Sequence, residues 1–189
     1  MSVKDKIIIN IYNIATSIGL RRVILAPIIG SLFALLTAMF VIIPVNIESR
    51  LDVPAIIISP LNLIAGVPLI LTGTILVLWS SWYFIVGKRT PVPVNPPVRL
   101  IIKGPYAYSR NPMHTGLFIL MFGFGFYYHS VLSIIVFTPI YILMDVWMII
   151  NIEEPELEKR LGNNYIEYKK RVNRFIPWKS SKRRDLTIN

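Results

Sequence analysis

An all-α integral membrane protein with about four transmembrane helices, the last two folded as a C-terminal hairpin, is the fold class this sequence predicts. Three observations lead there. The 189 residues are 54% hydrophobic and only 16% charged, against about 25% charged in ordinary soluble domains. The apolar residues gather in long charge-free stretches instead of recurring at core periodicity. The basic residues alternate in number between successive connections, as they do in multi-pass membrane proteins.

The first stretch, residues 23–44, runs 22 residues without a charge, and the second, 60–87, runs 28 and ends in Trp79, Trp82, Tyr83 and Phe84. Residues 113–128 are fewer and carry His114, while 131–152 are interrupted by Pro139 and Asp145. A helix needs about 20 apolar residues to cross the hydrocarbon. The bilayer interior offers no partner to unpaired backbone, so helices are expected. Three stretches suffice in length. Residues 113–128 are marginal, and the Tyr128-His129-Ser130 that follows makes them one arm of a tight helical hairpin.

Basic residues number four before the first stretch, one after it, five between the second and third, none in the hairpin turn and ten after the fourth. That alternation predicts a multi-pass protein with both termini cytoplasmic, in the plasma membrane if the cell is prokaryotic. The net charge of +10 flanks the spans, so anionic lipid headgroups account for it better than nucleic acid does. No cysteine is present, which removes disulfides and thiolate chemistry. The first apolar stretch is too long for a signal peptide and has no small-residue cleavage site.

Residues 1–22 place Ile7, Ile8, Ile11, Tyr12, Ala15 and Ile18 on roughly one helical face, which predicts a helix lying in the interface. Residues 23–87 hold the first two spans, joined by a short external loop over 45–59. Six prolines in the 25 residues 88–112 preclude a regular helix and predict a stiff cytoplasmic connection. Residues 155–174 resume a helical pattern, and 179–189 form a polar tail.

Two polar clusters flank the hairpin: Gly104-Pro105-Tyr106-Ala107-Tyr108-Ser109-Arg110-Asn111-Pro112-Met113-His114-Thr115-Gly116, then Glu153-Glu154-Pro155-Glu156-Leu157 followed by Tyr165, Tyr168, Arg174, Phe175 and Pro177. A hairpin returns the chain to the same side, so Arg110, Asn111 and His114 are expected to meet Glu153 and Glu154. Each piece also has a structural explanation. Pro112 suits the first position of a helix, Arg110 could reach headgroups, and the two glutamates could cap the helix that starts at Pro155. Together they exceed what anchoring requires, because adjacent carboxylates at the negative end of a span need compensating cations. Asp145, an acid within a span, is a functional candidate by default, unless a tyrosine near the interface satisfies it. Gly123-Phe124-Gly125 is better explained by close helix packing than by a ligand.

At these clusters the chain resembles the superfamily of isoprenylcysteine carboxyl methyltransferases and phospholipid methyltransferases. The resemblance covers roughly residues 88–178. It rests on Gly104-Pro105-Tyr106, Arg110-Asn111-Pro112-Met113, Gly116, Glu153-Glu154, Leu157, Tyr165-Ile166-Glu167-Tyr168 and Arg174-Phe175-Ile176-Pro177 in that order and spacing. Two residues depart from the pattern: Asn111 stands where the isoprenylcysteine enzymes carry histidine, and His114 where tyrosine is usual.

The resemblance implies a methyltransferase core over 88–178 with a cytoplasmic cap that binds S-adenosyl-L-methionine. Its ligands would come from Gly104, Pro105, Tyr106, Arg110, Asn111, Pro112, His114, Gly116, Glu153 and Glu154, and no metal is implied. The acceptor would be a lipid or prenylated molecule entering from the bilayer, in the first place an isoprenylcysteine-type carboxylate, with a phosphatidylethanolamine-type amine as the alternative. A carboxylate acceptor needs no base and could be oriented by Arg174. An amine acceptor needs one, and His114 or Glu154 could serve. Membrane sterol reductases, which use a nicotinamide cofactor, are similar in the hairpin region, and a scaffold without chemistry could share the fold.

Overall fold

The computed structural model describes residues 2–16, 20–52, 56–86 and 100–176. The prolines between 91 and 97, Pro177 and the tail from 179 lie outside the described residues. Every regular element among the described residues is helical: α1 (Val3–Thr16), α2 (Leu20–Arg50), α3 (Leu61–Val86), α4 (Pro112–Tyr127), α5 (Thr138–Met148), α6 (Glu154–Leu161) and α7 (Asn163–Arg171). A 3-10 turn covers Gly104–Ala107, and π turns cover Ser133–Phe137 and Ile149–Glu153.

Three stretches, Ile24–Arg50, Leu61–Val86 and Ser133–Leu161, are long and apolar enough to cross a membrane. Large apolar side chains stand outward on all three: Leu32 is 60% exposed, Ile75 63% and Leu143 69%. Such faces are costly in water and are solvated by lipid. The chain is a membrane protein. α4 has 16 residues, about 24 Å at 1.5 Å per residue, short of the roughly 30 Å hydrocarbon core.

Two boundaries differ from the sequence reading. α2 runs on past Pro44 to Arg50, so much of the expected 45–59 loop is helix. The second difference bears on the site. Helical backbone continues from α5 through the π turn into α6, with Glu153 and Glu154 both in right-handed helical conformation. Glu153 and Glu154 are therefore inside a helix rather than at its negative end, and Glu153 makes no side-chain cap.

The described chain divides into two compact units, one of residues 1–30, 79–112 and 147–189, the other of 31–78 and 113–146. In the second, α3 and α4 touch backbone to backbone. A Cβ on Gly73 would stand 2.7 Å from the Gly116 carbonyl oxygen, and one on Gly123 2.8 Å from the Ile70 amide nitrogen. Glycines in helix interiors are disfavoured in water but allow this close approach in a membrane. Gly123 is thus a packing residue, as its sequence context suggested. The hairpin turn is fixed by Ser130, whose Oγ accepts from the Ser133 amide at 3.0 Å, an N-cap bond. Glu48 Oε1 accepts from the Leu132 amide at 2.8 Å. His129 is engaged structurally, by the Ile57 carbonyl and Asn62.

In the first unit α1 lies against α6 and the π turn that precedes it. Lys159 Nζ sits 4.6 Å from the centroid of the Tyr12 ring, and Lys4 Nζ donates to Asn151 at 3.2 Å. The core here consists of Tyr165, Tyr168 and Val172, with Leu100, Ile102, Leu157 and Leu161 against them. Gly162 separates α6 from α7 at φ 57° and ψ −136°, a conformation that essentially only glycine adopts.

Candidate functional site

The polar site of the first unit begins with two short segments held together by backbone. The Arg110 amide donates to the Asn173 carbonyl at 2.9 Å and the Asn111 amide to the Arg174 carbonyl at 3.0 Å. Ser109 Oγ and Asn111 Nδ2 donate to the same Arg174 carbonyl, at 3.0 and 3.3 Å. Below them Tyr168 donates its hydroxyl to the Tyr106 carbonyl at 2.6 Å. Tyr106 is buried in the 3-10 turn with Phe84 edge-on at 5.7 Å. Gly104 opens that turn at φ 59° with the Tyr83 ring where a Cβ would be. No other residue would fit there without moving the tyrosine.

Held this way, three cations converge on one carboxylate. Arg174 donates Nε to Glu154 Oε1 at 2.8 Å and Nη2 to Oε2 at 3.0 Å. Arg110 Nη1 stands 2.9 Å from Oε1, and Lys169 Nζ 3.0 Å from Oε2. The Glu154 side chain is 3% exposed and that of Arg110 8%. Lys169 also reaches Glu158 at 2.7 Å. A buried carboxylate is tolerated only with such compensation. The bonds act back on the bases: those from Glu158 and Glu154 raise the Lys169 ammonium above its usual range, and Glu154 does the same for the Arg174 guanidinium. Burial pushes the Tyr165 hydroxyl up to about 12 and raises Tyr106 and Tyr168 further.

Two nitrogens of this cluster are left over. Arg110 Nε and Nη1 are buried and make no hydrogen bond, although Nη1 keeps its ionic contact with Glu154. A buried unpaired N–H costs about 1–3 kcal/mol and is uncommon in native proteins.

The expected meeting of Arg110 with Glu154 is present. Asn111 stands beside them through the Arg174 carbonyl, and Pro105 and Pro112 are buried, Pro112 as the first residue of α4. Glu153 is half-buried, one residue before Glu154. His114 and Gly116 belong to the other unit. Gly116 there faces Gly73 and Val77 of α3, a helix-packing position rather than a place in the polar cluster. His114 Nδ1 lies 2.6 Å from Asp145 Oδ2, both side chains being buried.

Lys169 and Glu158 were missed. Lys169 does carry a signal: it follows the buried Tyr165 by four residues, so it lies on the same side of α7. The basic run Lys169-Lys170-Arg171 hid it.

The described residues make a helical membrane protein with a buried acid–base cluster beside a glycine-proline-tyrosine turn. The chain belongs to the phospholipid methyltransferase family, whose model matches residues 61–164, more than half of the sequence. The match includes Arg110, His114, Asp145 and Glu154 and ends before Tyr165, Lys169 and Arg174. No curated protein and no solved structure matches the chain significantly.

Proposed function

We propose that this protein transfers a methyl group from S-adenosyl-L-methionine to the headgroup amine of a membrane lipid. The observation that carries the cofactor half is the buried Arg110 with its unpartnered Nε. Bound there, the cofactor would supply an electrophilic methyl on a sulfonium. Its donor set suits the residues: Arg110 for the carboxylate, Glu153 and Glu154 for the ammonium or ribose, and the Gly104-Pro105-Tyr106 turn with Asn111 and Pro112 for the rest. The protein's task is then alignment and exclusion of water, and direct displacement needs no nucleophilic side chain.

The acceptor half is supported by a cavity of about 680 Å³ within the second unit, lined by Phe33, Val41, Leu117, Leu120 and Phe124 among others. Its apolar walls suit acyl or prenyl chains reached laterally from the bilayer. An amine is favoured over the prenylated-cysteine carboxylate because the Arg174 fork, which would orient such a carboxylate, is filled by Glu154. In this reading the protein has four spans, cytoplasmic termini and the polar unit as a cytoplasmic cap.

The test is methyl transfer from tritiated S-adenosyl-L-methionine on purified membranes, with lipid extraction and mass spectrometry of the product. Label in an aminophospholipid is the expected result. Label only in a carboxyl methyl ester would replace the acceptor. Binding of a reduced nicotinamide nucleotide, with none of S-adenosyl-L-methionine, would point to the reductase alternative, and binding of neither to a scaffold.

A further inference from the structure

Two helical stretches of this chain share one arrangement: a five-residue π turn, a buried residue, then a proline. In the first unit the π turn Ile149–Glu153 is followed by Glu154 and Pro155, and in the second Ser133–Phe137 is followed by Thr138 and Pro139. The residue between is turned inward each time, Glu154 at 2% exposure and Thr138 at 0%. We propose that Pro155 is a positioning residue: it keeps the π turn open and so delivers Glu154, rather than Glu153, to Arg110, Lys169 and Arg174. What that cluster binds rests on the cofactor reading given above, but its geometry does not.

In an α helix a proline has no amide to give the carbonyl four residues back, and its ring collides with that carbonyl. For Pro155 the carbonyl is that of Asn151 and for Pro139 that of Ile135, each the middle residue of its π turn. The wider turn is closed by amides five residues on, Glu154 N–H to the Ile149 carbonyl and Thr138 N–H to the Ser133 carbonyl. It makes room where the α form would meet the ring. Proline does not impose this alone, since Pro27, Pro44 and Pro68 stand in helix that stays α. At Ile149–Glu153 the open form has further support. Asn151 donates Nδ2 to the Trp147 carbonyl at 2.9 Å and accepts from Lys4 Nζ at 3.2 Å, and α1 packs along the same turn.

A π turn holds one residue more than the α turn it replaces, so it shifts the phase of everything after it by one position, about 100° around the helix axis. Were the turn to close to α, each residue of α6 would move one place relative to Trp147 and Met148. Glu153 would then stand where Glu154 stands, and Glu154 would take the place of Pro155, away from the three cations. Adjacent glutamates offer the same chemical group, so phase alone chooses between them. The π turn sets that phase, and Pro155 holds the turn.

Charge-neutral variants read the phase. In the wild-type background Glu154→Gln should lower the unfolding midpoint in detergent more than Glu153→Gln does. In a Pro155→Ala background the order should reverse, because Glu153 then faces the cations. Pro155→Ala should also weaken S-adenosyl-L-methionine binding by about 10-fold or more, as for one lost charge-assisted hydrogen bond. Deleting Ile152 from the Pro155→Ala protein should restore both the wild-type order and the affinity, since taking one residue from the turn gives back the phase without the proline. A proline that served only stability would gain nothing from a second lesion. An unchanged order in Pro155→Ala, an unchanged affinity there, or a deletion variant no better than its parent each overturns the proposal. If Pro155→Ala does not fold, the variant that also lacks Ile152 decides: it should fold with Glu154 as the sensitive carboxylate, and its failure to fold overturns the proposal too. A wild type that binds no S-adenosyl-L-methionine overturns the cofactor reading alone, and the order of midpoints then decides this inference.

Discussion

Arg174 grips Glu154 with two parallel hydrogen bonds, Nε to Oε1 at 2.8 Å and Nη2 to Oε2 at 3.0 Å. The fork joins the chain after α7 to the first turn of α6, and its own carbonyl is the acceptor that gathers Ser109 and Asn111. One residue thus fixes both walls of the polar site. Arg174→Ala should lower stability by about 1–3 kcal/mol, less than for an unaided buried pair because Arg110 and Lys169 still face Glu154. Arg174→Lys keeps the charge without the fork and should recover only part. Thermal unfolding in detergent measures both, and an unchanged midpoint in Arg174→Ala would count against the clamp.

Glu154→Gln leaves three cations around a neutral amide. The expected result is a lower unfolding midpoint together with S-adenosyl-L-methionine binding weakened by about 1–3 kcal/mol, the worth of a charge-assisted hydrogen bond. Isothermal titration on the folded fraction separates the two effects. A lower midpoint with unchanged affinity would make Glu154 a structural anion that only arranges Arg110 and Arg174.

The spans were legible because long apolar runs have few meanings, and Arg110 meets Glu154 as a hairpin requires. Three things were hidden. Nothing in periodicity marks the π turn at Ile149–Glu153, so the helix seemed to end where it continues. Pro44 read as a stop, yet a spanning helix tolerates proline where neighbours cover the freed carbonyl; Pro44 is fully buried. Asp145 and His114 are 31 residues apart on α5 and α4, and the faces on which apolar helices meet, the α3–α4 glycine contacts among them, are left open by sequence alone.

Those contacts give the third prediction. Gly116→Ala drives a methyl against the Gly73 carbonyl and the Val77 amide, both at 3.0 Å from the new Cβ, and the Val77 side chain at 2.8 Å. Backbone cannot step aside, so the cost should be about 1–3 kcal/mol. Gly125→Ala meets mainly the Ile134 side chain, which can change rotamer, and should cost less. Unfolding midpoints of the two variants in the same detergent check the order, and equal midpoints would argue against a rigid α3–α4 crossing.

The Tyr165 hydroxyl, pushed up to about 12 by burial, gives a pH prediction. Its neutral form is the one the fold accepts. An unfolded tyrosine ionises near 10, so Tyr165 contributes its stability in full below about pH 10 and loses it as pH rises through about 12. Alkaline difference absorbance between wild type and Tyr165→Phe should contain no phenolate near pH 10 and gain it only toward 12 or with unfolding. A phenolate step near 10 assigned to Tyr165 would mean that its hydroxyl is in water.

The last prediction concerns topology. The basic residues are distributed four, one, five, none and ten along the successive connections, and lysine and arginine are retained on the cytoplasmic side of short loops. An odd number of crossings would separate the ends of the chain, whereas four would leave both inside. Among the described residues, the stretches long enough to span alone are Ile24–Arg50, Leu61–Val86 and Ser133–Leu161; in the proposed four-span reading α4, with its 16 residues, would make the fourth crossing against the glycine face of α3. The chain has no cysteine, so single cysteines report without background. Ser2→Cys and Ser180→Cys should both resist an impermeant thiol reagent in intact cells and react once the cells are opened. Reaction of one end but not the other in sealed cells would leave three crossings and put α4 on one side of the membrane. In that arrangement His114 and Asp145 would sit at an interface rather than inside the bilayer.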